Sequence, residues 1–199
     1  MVGIIDYGVG NLFSLRSSFA AIGVEAFVSG DAGELAKADR LILPGVGAFG
    51  DAAEKLRASG LDAFVREQAA AGKPLMGICL GMQLLFERSF EYGEHFGLGL
   101  LKGQVVGMSG RLPEGLKIPH MGWNALKLTK PAKLLEEGSY VYFVHSFYAE
   151  NCEDSLAAVT DYGFPITAAV EKGNIFGCQF HPEKSGNVGL AILKKFCEV

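Results

Sequence analysis

Four cysteines and four histidines carry most of the chemistry open to this chain. Cys79 stands apart from the other thiols. It sits at the centre of Gly77-Ile78-Cys79-Leu80-Gly81, where an apolar strand pattern gives way to a helical one. A nucleophile flanked by glycines suits a sharp strand-to-helix turn, because small neighbours avoid clashing around a strained backbone. The side chain at the apex is then exposed at the carboxyl end of a sheet, where open α/β sheets place their ligands. Unpaired N–H groups and the positive end of the following helix both favour a thiolate, the reactive form. Most free cysteines are small buried hydrophobes, and Cys152, Cys178 and Cys197 read that way. A core cysteine needs neither paired glycines nor a corner, so Cys79 reads as a nucleophile.

A thiol nucleophile needs a base that later protonates the leaving amine, and histidine does both near neutral pH. His95, His120, His145 and His181 are the choices. His181 follows the apolar run Ile175–Phe180, so it too stands at a strand end, and Pro182 forces the chain out of the sheet. On an extended His-Pro-Glu segment, residues two apart point the same way, which lets Glu183 reach the far imidazole nitrogen. There it fixes the tautomer and stabilises the imidazolium. Alone, a His-x-Glu pair is more often incidental on a solvated loop; beside an elbow cysteine it reads as base and orienter.

Attack on an amide builds negative charge on its oxygen, which calls for two N–H donors. Leu80, directly after the nucleophile, supplies one. The loop Pro44-Gly45-Val46-Gly47 suits the other, with Val46 as donor, because glycines let peptide planes turn toward a ligand. As a plain structural feature the same Pro-Gly is a strand-ending turn. Gln83 lies one helical turn beyond Cys79 on the same face, placed to hold the polar end of a substrate.

The elements that position these residues follow from periodicity. Val2–Ile5, Arg40–Leu43 and Pro74–Ile78 read as buried strands. Asn11 caps a helix with apolar positions Leu12, Leu15, Phe19 and Ile22, and Gly23 stops it. Asp51–Ala58, Leu61–Ala71 and Leu80–Arg88 read as helices. Alternating strands and helices imply right-handed crossovers and a mostly parallel sheet covered on both faces. From Gly103 on, short β-type runs follow one another: Gln104–Met108, Ala125–Leu128, Tyr140–Val144, Leu156–Thr160, and a hairpin of Ile166–Glu171 with Asn174–Phe180 around Lys172-Gly173. A helix from about Val188 to Glu198 closes an α/β fold with a late antiparallel addition. Residues 1–199 read as a single domain with no repeat or linker.

Bulk properties narrow the classes. A net charge of −4 without a Lys/Arg run offers nothing to nucleic acid or an anionic membrane surface. The apolar start is too short for a signal peptide and no run approaches a membrane span, so the cytoplasm is the default and thiols stay reduced. The cysteines lack metal-type spacing and are too few for a disulfide framework. Neither a metal nor another cofactor is expected.

Taken together, Gly77–Gln83, His181-Pro182-Glu183 and Pro44–Gly47 resemble the class I, triad-type glutamine amidotransferases. Asp6–Leu12, Ile118–Asn124 and Tyr142–Ser146 narrow the resemblance to the glutaminase subunits of imidazole glycerol phosphate synthases, and it runs from Met1 to the final helix. The resemblance implies a three-layer, flavodoxin-like α/β fold and hydrolysis of glutamine through a γ-glutamyl thioester on Cys79. Ammonia would then pass to a (β/α)8-barrel cyclase subunit in a heterodimer of histidine biosynthesis. It also implies that Gly47, Gln83 and Glu91 hold glutamine, with backbone from Ser146-Phe147, and that Asn11, Trp123, Tyr142 and Lys184 lie toward the partner. One departure stands out: Phe90 occupies a place where relatives often carry an acidic residue. Rival readings are a glutaminase serving another acceptor synthase, a silent interaction subunit, and a generic cysteine hydrolase of the same fold.

Overall fold

The computed structural model describes residues 1–199. Its first half alternates strand and helix as expected: β1 (Val2–Ile5), α1 (Leu12–Ala21), β2 (Ala26–Ser29), α2 (Ala32–Leu35), β3 (Arg40–Leu43), α3 (Phe49–Ala58), α4 (Leu61–Ala70), β4 (Leu75–Ile78) and α5 (Leu80–Leu84). The remainder is mostly strand: β5 (Phe86–Ser89), β6 (His95–Phe96), β7 (Leu101–Gly107), β8 (His120–Ala125), β9 (Lys127–Leu128), β10 (Tyr140–His145), β11 (Phe147–Glu150), β12 (Leu156–Asp161), β13 (Pro165–Lys172) and β14 (Ile175–Cys178). A 3-10 turn at Pro182–Lys184 leads into α6 (Gly186–Phe196).

The main sheet runs β2-β1-β3-β4-β14-β13-β12-β9. Pairing is parallel from β2 through β14 and antiparallel beyond it. Alternation along the strands explains its two buried faces. Ile5, Leu41, Leu43 and Leu75 join the core under α3 and α4, which contribute Phe49, Leu56, Phe64 and Val65. Ile4, Ile42, Met76 and Ile78 point the other way, into a core shared with Leu15 and Phe19 of α1 and Ile192, Leu193 and Phe196 of α6. That gives three layers, helix on sheet on helix.

Several expectations change. Leu80–Arg88 is not one helix: α5 stops at Leu84, and Phe86–Ser89 starts a second sheet ordered β11-β7-β5-β6. Phe86 and Ser89 are buried while Glu87 and Arg88 are exposed, so the apolar run Leu84–Phe86 is buried for two successive reasons, first as the end of a helix and then as the start of a strand. The late addition therefore includes this mixed four-stranded sheet, in which β5 and β7 run parallel, and a separate antiparallel β8–β10 pair. The strand expected at Ala125–Leu128 is split at Leu126: Ala125 ends β8, whose pairing with β10 places His145 opposite His120, and Lys127–Leu128 is the edge strand β9 against β12.

Candidate active site

The parallel strands order the site. Asn11, Val46, Cys79 and His181 all follow the carboxyl ends of β1, β3, β4 and β14, which are consecutive neighbours in the sheet. Residues far apart in sequence thus converge on one edge, as open α/β sheets require.

At the corner between β4 and α5, Cys79 has φ 53 and ψ −113, a left-handed φ that non-glycine residues seldom adopt. The flanking glycines make that possible. A Cβ on Gly81 would lie 1.8 Å from the Leu43 carbonyl oxygen, and one on Gly77 would lie 2.6 Å from Met82 N. Gly45 is as tightly placed, 2.8 Å from Gly81 N. The Cys79 N–H donates to the Cys178 carbonyl at 2.7 Å, which ties the elbow to β14. The sulfur accepts a hydrogen bond from Gln179 Nε2 at 3.7 Å.

Beyond β14, the His181 N–H donates to the Tyr142 carbonyl at 3.0 Å, and Nδ1 donates to Glu183 Oε1 at 2.7 Å. The segment between them is a 3-10 turn at Pro182–Lys184 rather than an extended strand. The expected contact forms all the same, by curling the chain back instead of by two-residue alternation. The other Glu183 oxygen is buried without a partner, so the carboxylate acts on His181 alone. Burial pushes the imidazole pKa down, but the Cys79 sulfur and the Glu183 carboxylate outweigh it and raise it to about 9. An imidazolium is favoured between two groups of opposite charge.

Cys79 and His181 border a cavity of about 390 Å³, within the range usual for small-molecule sites. Val46, Gly47, Leu80, Gln83, Glu91, Ser146 and Phe147 all border it with Cys79 and His181. Leu80 opens α5, where the helix supplies no acceptor for its N–H, and Val46 N–H meets no protein acceptor. Gly47 has φ +98, which only glycine adopts without strain. Glu91 is buried and its Oε2 accepts from the Phe49 N–H at 2.7 Å, so it also caps α3. Phe90 is 44% exposed with Arg88 over its ring.

The four partner-facing candidates do not all share the cavity. Lys184 borders it and is exposed. Trp123 and Tyr142 pair across β8 and β10, with ring centroids 6.0 Å apart, and Trp123 is half exposed. Asn11 is partly buried and its side chain caps α1 by accepting from Ser14 N. Of the other histidines, His145 borders the cavity but donates from Nδ1 to the Phe147 carbonyl, and burial holds its pKa down at about 3. His95 lies beneath Gly50, and His120 is fully buried away from the cavity.

Two residues at the site escaped the sequence. Tyr7 donates its hydroxyl to the Pro44 carbonyl at 2.7 Å and so holds the Val46 loop from below. Gln179, fully buried, joins Gln83 to the sulfur: Gln83 Nε2 donates to Gln179 Oε1 at 2.9 Å and to the Phe147 carbonyl at 3.0 Å. A polar residue inside the run Ile175–Phe180 was the available signal, since a buried amide must find partners.

Comparison with known proteins follows this geometry. The family model described as glutamine amidotransferase class-I matches residues 3–199. The chain is 52% identical to imidazole glycerol phosphate synthase subunit HisH of Wolinella succinogenes, covering all of both chains. It is 49% identical to the subunit of that name from Bacillus subtilis, covering all of this chain and 96% of that one. Among solved structures, a glutamine amidotransferase superposes with a TM-score of 0.78 at 21% identity over 99% of this chain and 97% of that one. PurLQS from Thermotoga maritima gives 0.75 at 21% identity over the same shares. At that identity the superpositions speak to the fold, a class I amidotransferase α/β sandwich. On its sequence, fold and elbow, the chain belongs to the class-I glutamine amidotransferases, among the HisH subunits of imidazole glycerol phosphate synthase.

Proposed function

We propose that Cys79, His181 and Glu183 are the catalytic triad of a glutaminase, and that residues 1–199 form its single domain. The observation that carries this is a strained cysteine facing one cavity with a histidine held by a buried carboxylate. His181 takes the thiol proton, and the sulfur attacks the side-chain amide carbon of glutamine. Leu80 and Val46 N–H groups receive the developing oxyanion. Collapse breaks the C–N bond, and His181 returns the proton to the nitrogen, which leaves as ammonia. Water, deprotonated by His181, then hydrolyses the γ-glutamyl thioester to glutamate and free thiol. Gly47, Gln83, Glu91 and the Ser146-Phe147 backbone hold the substrate.

Free ammonia is mostly protonated at neutral pH, and ammonium is no nucleophile. Ammonia released for synthesis therefore has to reach its acceptor without meeting water, which a docked enzyme provides. The relatives' name points to an imidazole glycerol phosphate synthase assembly; we infer that its other member is a (β/α)8-barrel cyclase subunit, in a cytoplasmic heterodimer making imidazole glycerol phosphate and aminoimidazole carboxamide ribotide for histidine biosynthesis. Asn11, Trp123, Tyr142 and Lys184 face it. No helix is long and apolar enough to cross a membrane. The test is ammonia release from glutamine with and without the cyclase, alongside labelling by the electrophile diazo-oxo-norleucine. The reading requires label on Cys79 alone among the four cysteines and ammonia release that depends on it; label elsewhere, or none, overturns it.

A further inference from the structure

The hydrogen bonds that lead to the nucleophile run in one direction only, and Gln179 is the last link. The Phe147 carbonyl can only accept, so the Gln83 amide must present its nitrogen there, at 3.0 Å. The same nitrogen lies 2.9 Å from the Gln179 side chain, which must therefore present its oxygen. That leaves Gln179 Nε2 toward the Cys79 sulfur at 3.7 Å, the one acceptor it meets. Turning over either amide, or both, sets two oxygens or two N–H groups against each other. Both side chains are buried.

We propose that Gln179 is a positioning residue that keeps a permanent donor on the Cys79 sulfur, its direction set by Gln83 and the Phe147 carbonyl. Backbone bonds fix both ends of the contact. The Gln179 N–H donates to the Ala168 carbonyl of β13 at 2.9 Å, and the Cys79 N–H donates to the Cys178 carbonyl, one residue before Gln179, at 2.7 Å. His181, two residues further along the same segment, meets the same sulfur. One stretch of chain after β14 thus brings two donors to one atom.

The two donors differ in kind. His181 gives its proton to the departing nitrogen and takes another from water, so its bond to the sulfur comes and goes with the reaction. The Gln179 amide releases no proton and stays a donor at every stage. A hydrogen bond to an ionised acceptor is roughly twice as strong as one to a neutral group, so this donor favours thiolate over thiol. It serves again when the thioester is hydrolysed. The C–S bond then breaks and its electron pair returns to the sulfur, where the Gln179 N–H already points. Gln179 is fully buried, so with an apolar side chain of its size in that place no water supplies the missing donor.

The effect on turnover rests on the glutaminase reading; the donor does not, and the reactivity of Cys79 in the full chain reads it without glutamine. Iodoacetamide is the probe, and Cys79 borders the cavity, within its reach. Each cysteine is followed by peptide mass spectrometry at neutral pH. Gln179→Met keeps the bulk and removes the donor, so alkylation of Cys79 should slow about tenfold, the worth of a charge-assisted bond. Cys152, Cys178 and Cys197 should react as in the parent. A loosened fold does the opposite, because it exposes buried thiols and speeds them all. Cys79 alkylated as fast as in the parent, or faster, overturns the proposal. If Gln179→Met does not fold, Gln83→Met asks the question one link away. Gln179 then loses the bond that directs it, and Cys79 should slow a few-fold; no slowing overturns the proposal. With the cyclase bound, Gln179→Met should also lower kcat for glutamine about tenfold. Slowed alkylation beside an unchanged kcat overturns the role in the reaction. A parent complex that hydrolyses no glutamine, with Cys79 still slowed in Gln179→Met, overturns the glutaminase reading and supports the donor.

Discussion

The two sides of the cavity are built by different means. On the β3–β4 side, backbone does the work: Cys79 at positive φ, Gly77, Gly81 and Gly45 with no room for a Cβ, and N–H groups at Leu80 and Val46 without acceptors. On the β10–β14 side, side chains do it: His181 on Glu183, His145 on the Phe147 carbonyl, Gln83 on Gln179. Backbone held by sterics is rigid and indifferent to pH. Side-chain hydrogen bonds are graded and titrate. The proposed nucleophile and oxyanion donors, which must not move, are on the first side; the proposed proton carrier, which must change state, is on the second.

The largest effect should come from the nucleophile itself. Cys79→Ala should abolish ammonia release from glutamine, a loss of several orders of magnitude, while circular dichroism stays that of the parent. Alanine is smaller than cysteine and relieves no clash, so the fold has no reason to change. Near-normal turnover would remove the thioester mechanism altogether.

Next comes the titrating side. His181→Ala removes both proton transfers, each worth roughly 10²–10⁴-fold, whereas Glu183→Gln keeps the imidazole and should be milder. Finding the order reversed in steady-state assays would show the roles misassigned. His181 also carries a pH signature. Its folded pKa is raised to about 9 from an ordinary 6.5, so its contribution to stability is full below 6.5 and fades as pH rises through 9. The thermal midpoint of the parent should fall across that window, and His181→Ala should flatten the fall. An equal fall in both would place the titration elsewhere.

How much of this contrast the sequence disclosed follows from the same distinction. The elbow was legible because it is local: glycines beside a cysteine where a strand pattern ends. Strands β1, β3 and β4 were legible because continuous apolar runs bounded by turn residues have few other readings. The pair His181 and Glu183 was legible as a contact, though not as a 3-10 turn. What needs pairing between distant strands was not. β2 is a half-buried edge strand of four residues, too weakly patterned to register. β11 starts two residues after His145 and is defined only by its partner β7. The bond from Gln179 to the sulfur, and the facing of His120 with His145, depend on register across sheets.

Returning to the rigid side, Val46→Pro deletes the proposed oxyanion donor and should cost about 10²–10³-fold in kcat with the cyclase bound. Diazo-oxo-norleucine labelling of Cys79 separates loss of the donor from loss of the pocket, and co-elution with the cyclase checks that the complex still forms. Full activity in Val46→Pro would assign the second donor to another group.

The smallest effect belongs to Tyr7, which supports the same loop from beneath. Its hydroxyl donates to the buried Pro44 carbonyl, and it lies 3.0 Å from where a Gly45 Cβ would stand. Tyr7→Phe keeps the ring and leaves that carbonyl unpaired, so the free energy of unfolding should drop by about 1 kcal/mol in denaturant titration. Turnover should fall only a few-fold, in kcat rather than KM, because the loop remains confined by the contacts of Gly45 against Leu80 and Gly81. The result tests what holds the oxyanion side. If Tyr7→Phe were as damaging as Val46→Pro, the loop would owe its placement to one side-chain hydrogen bond, and the division between a backbone-built and a side-chain-built wall would fail.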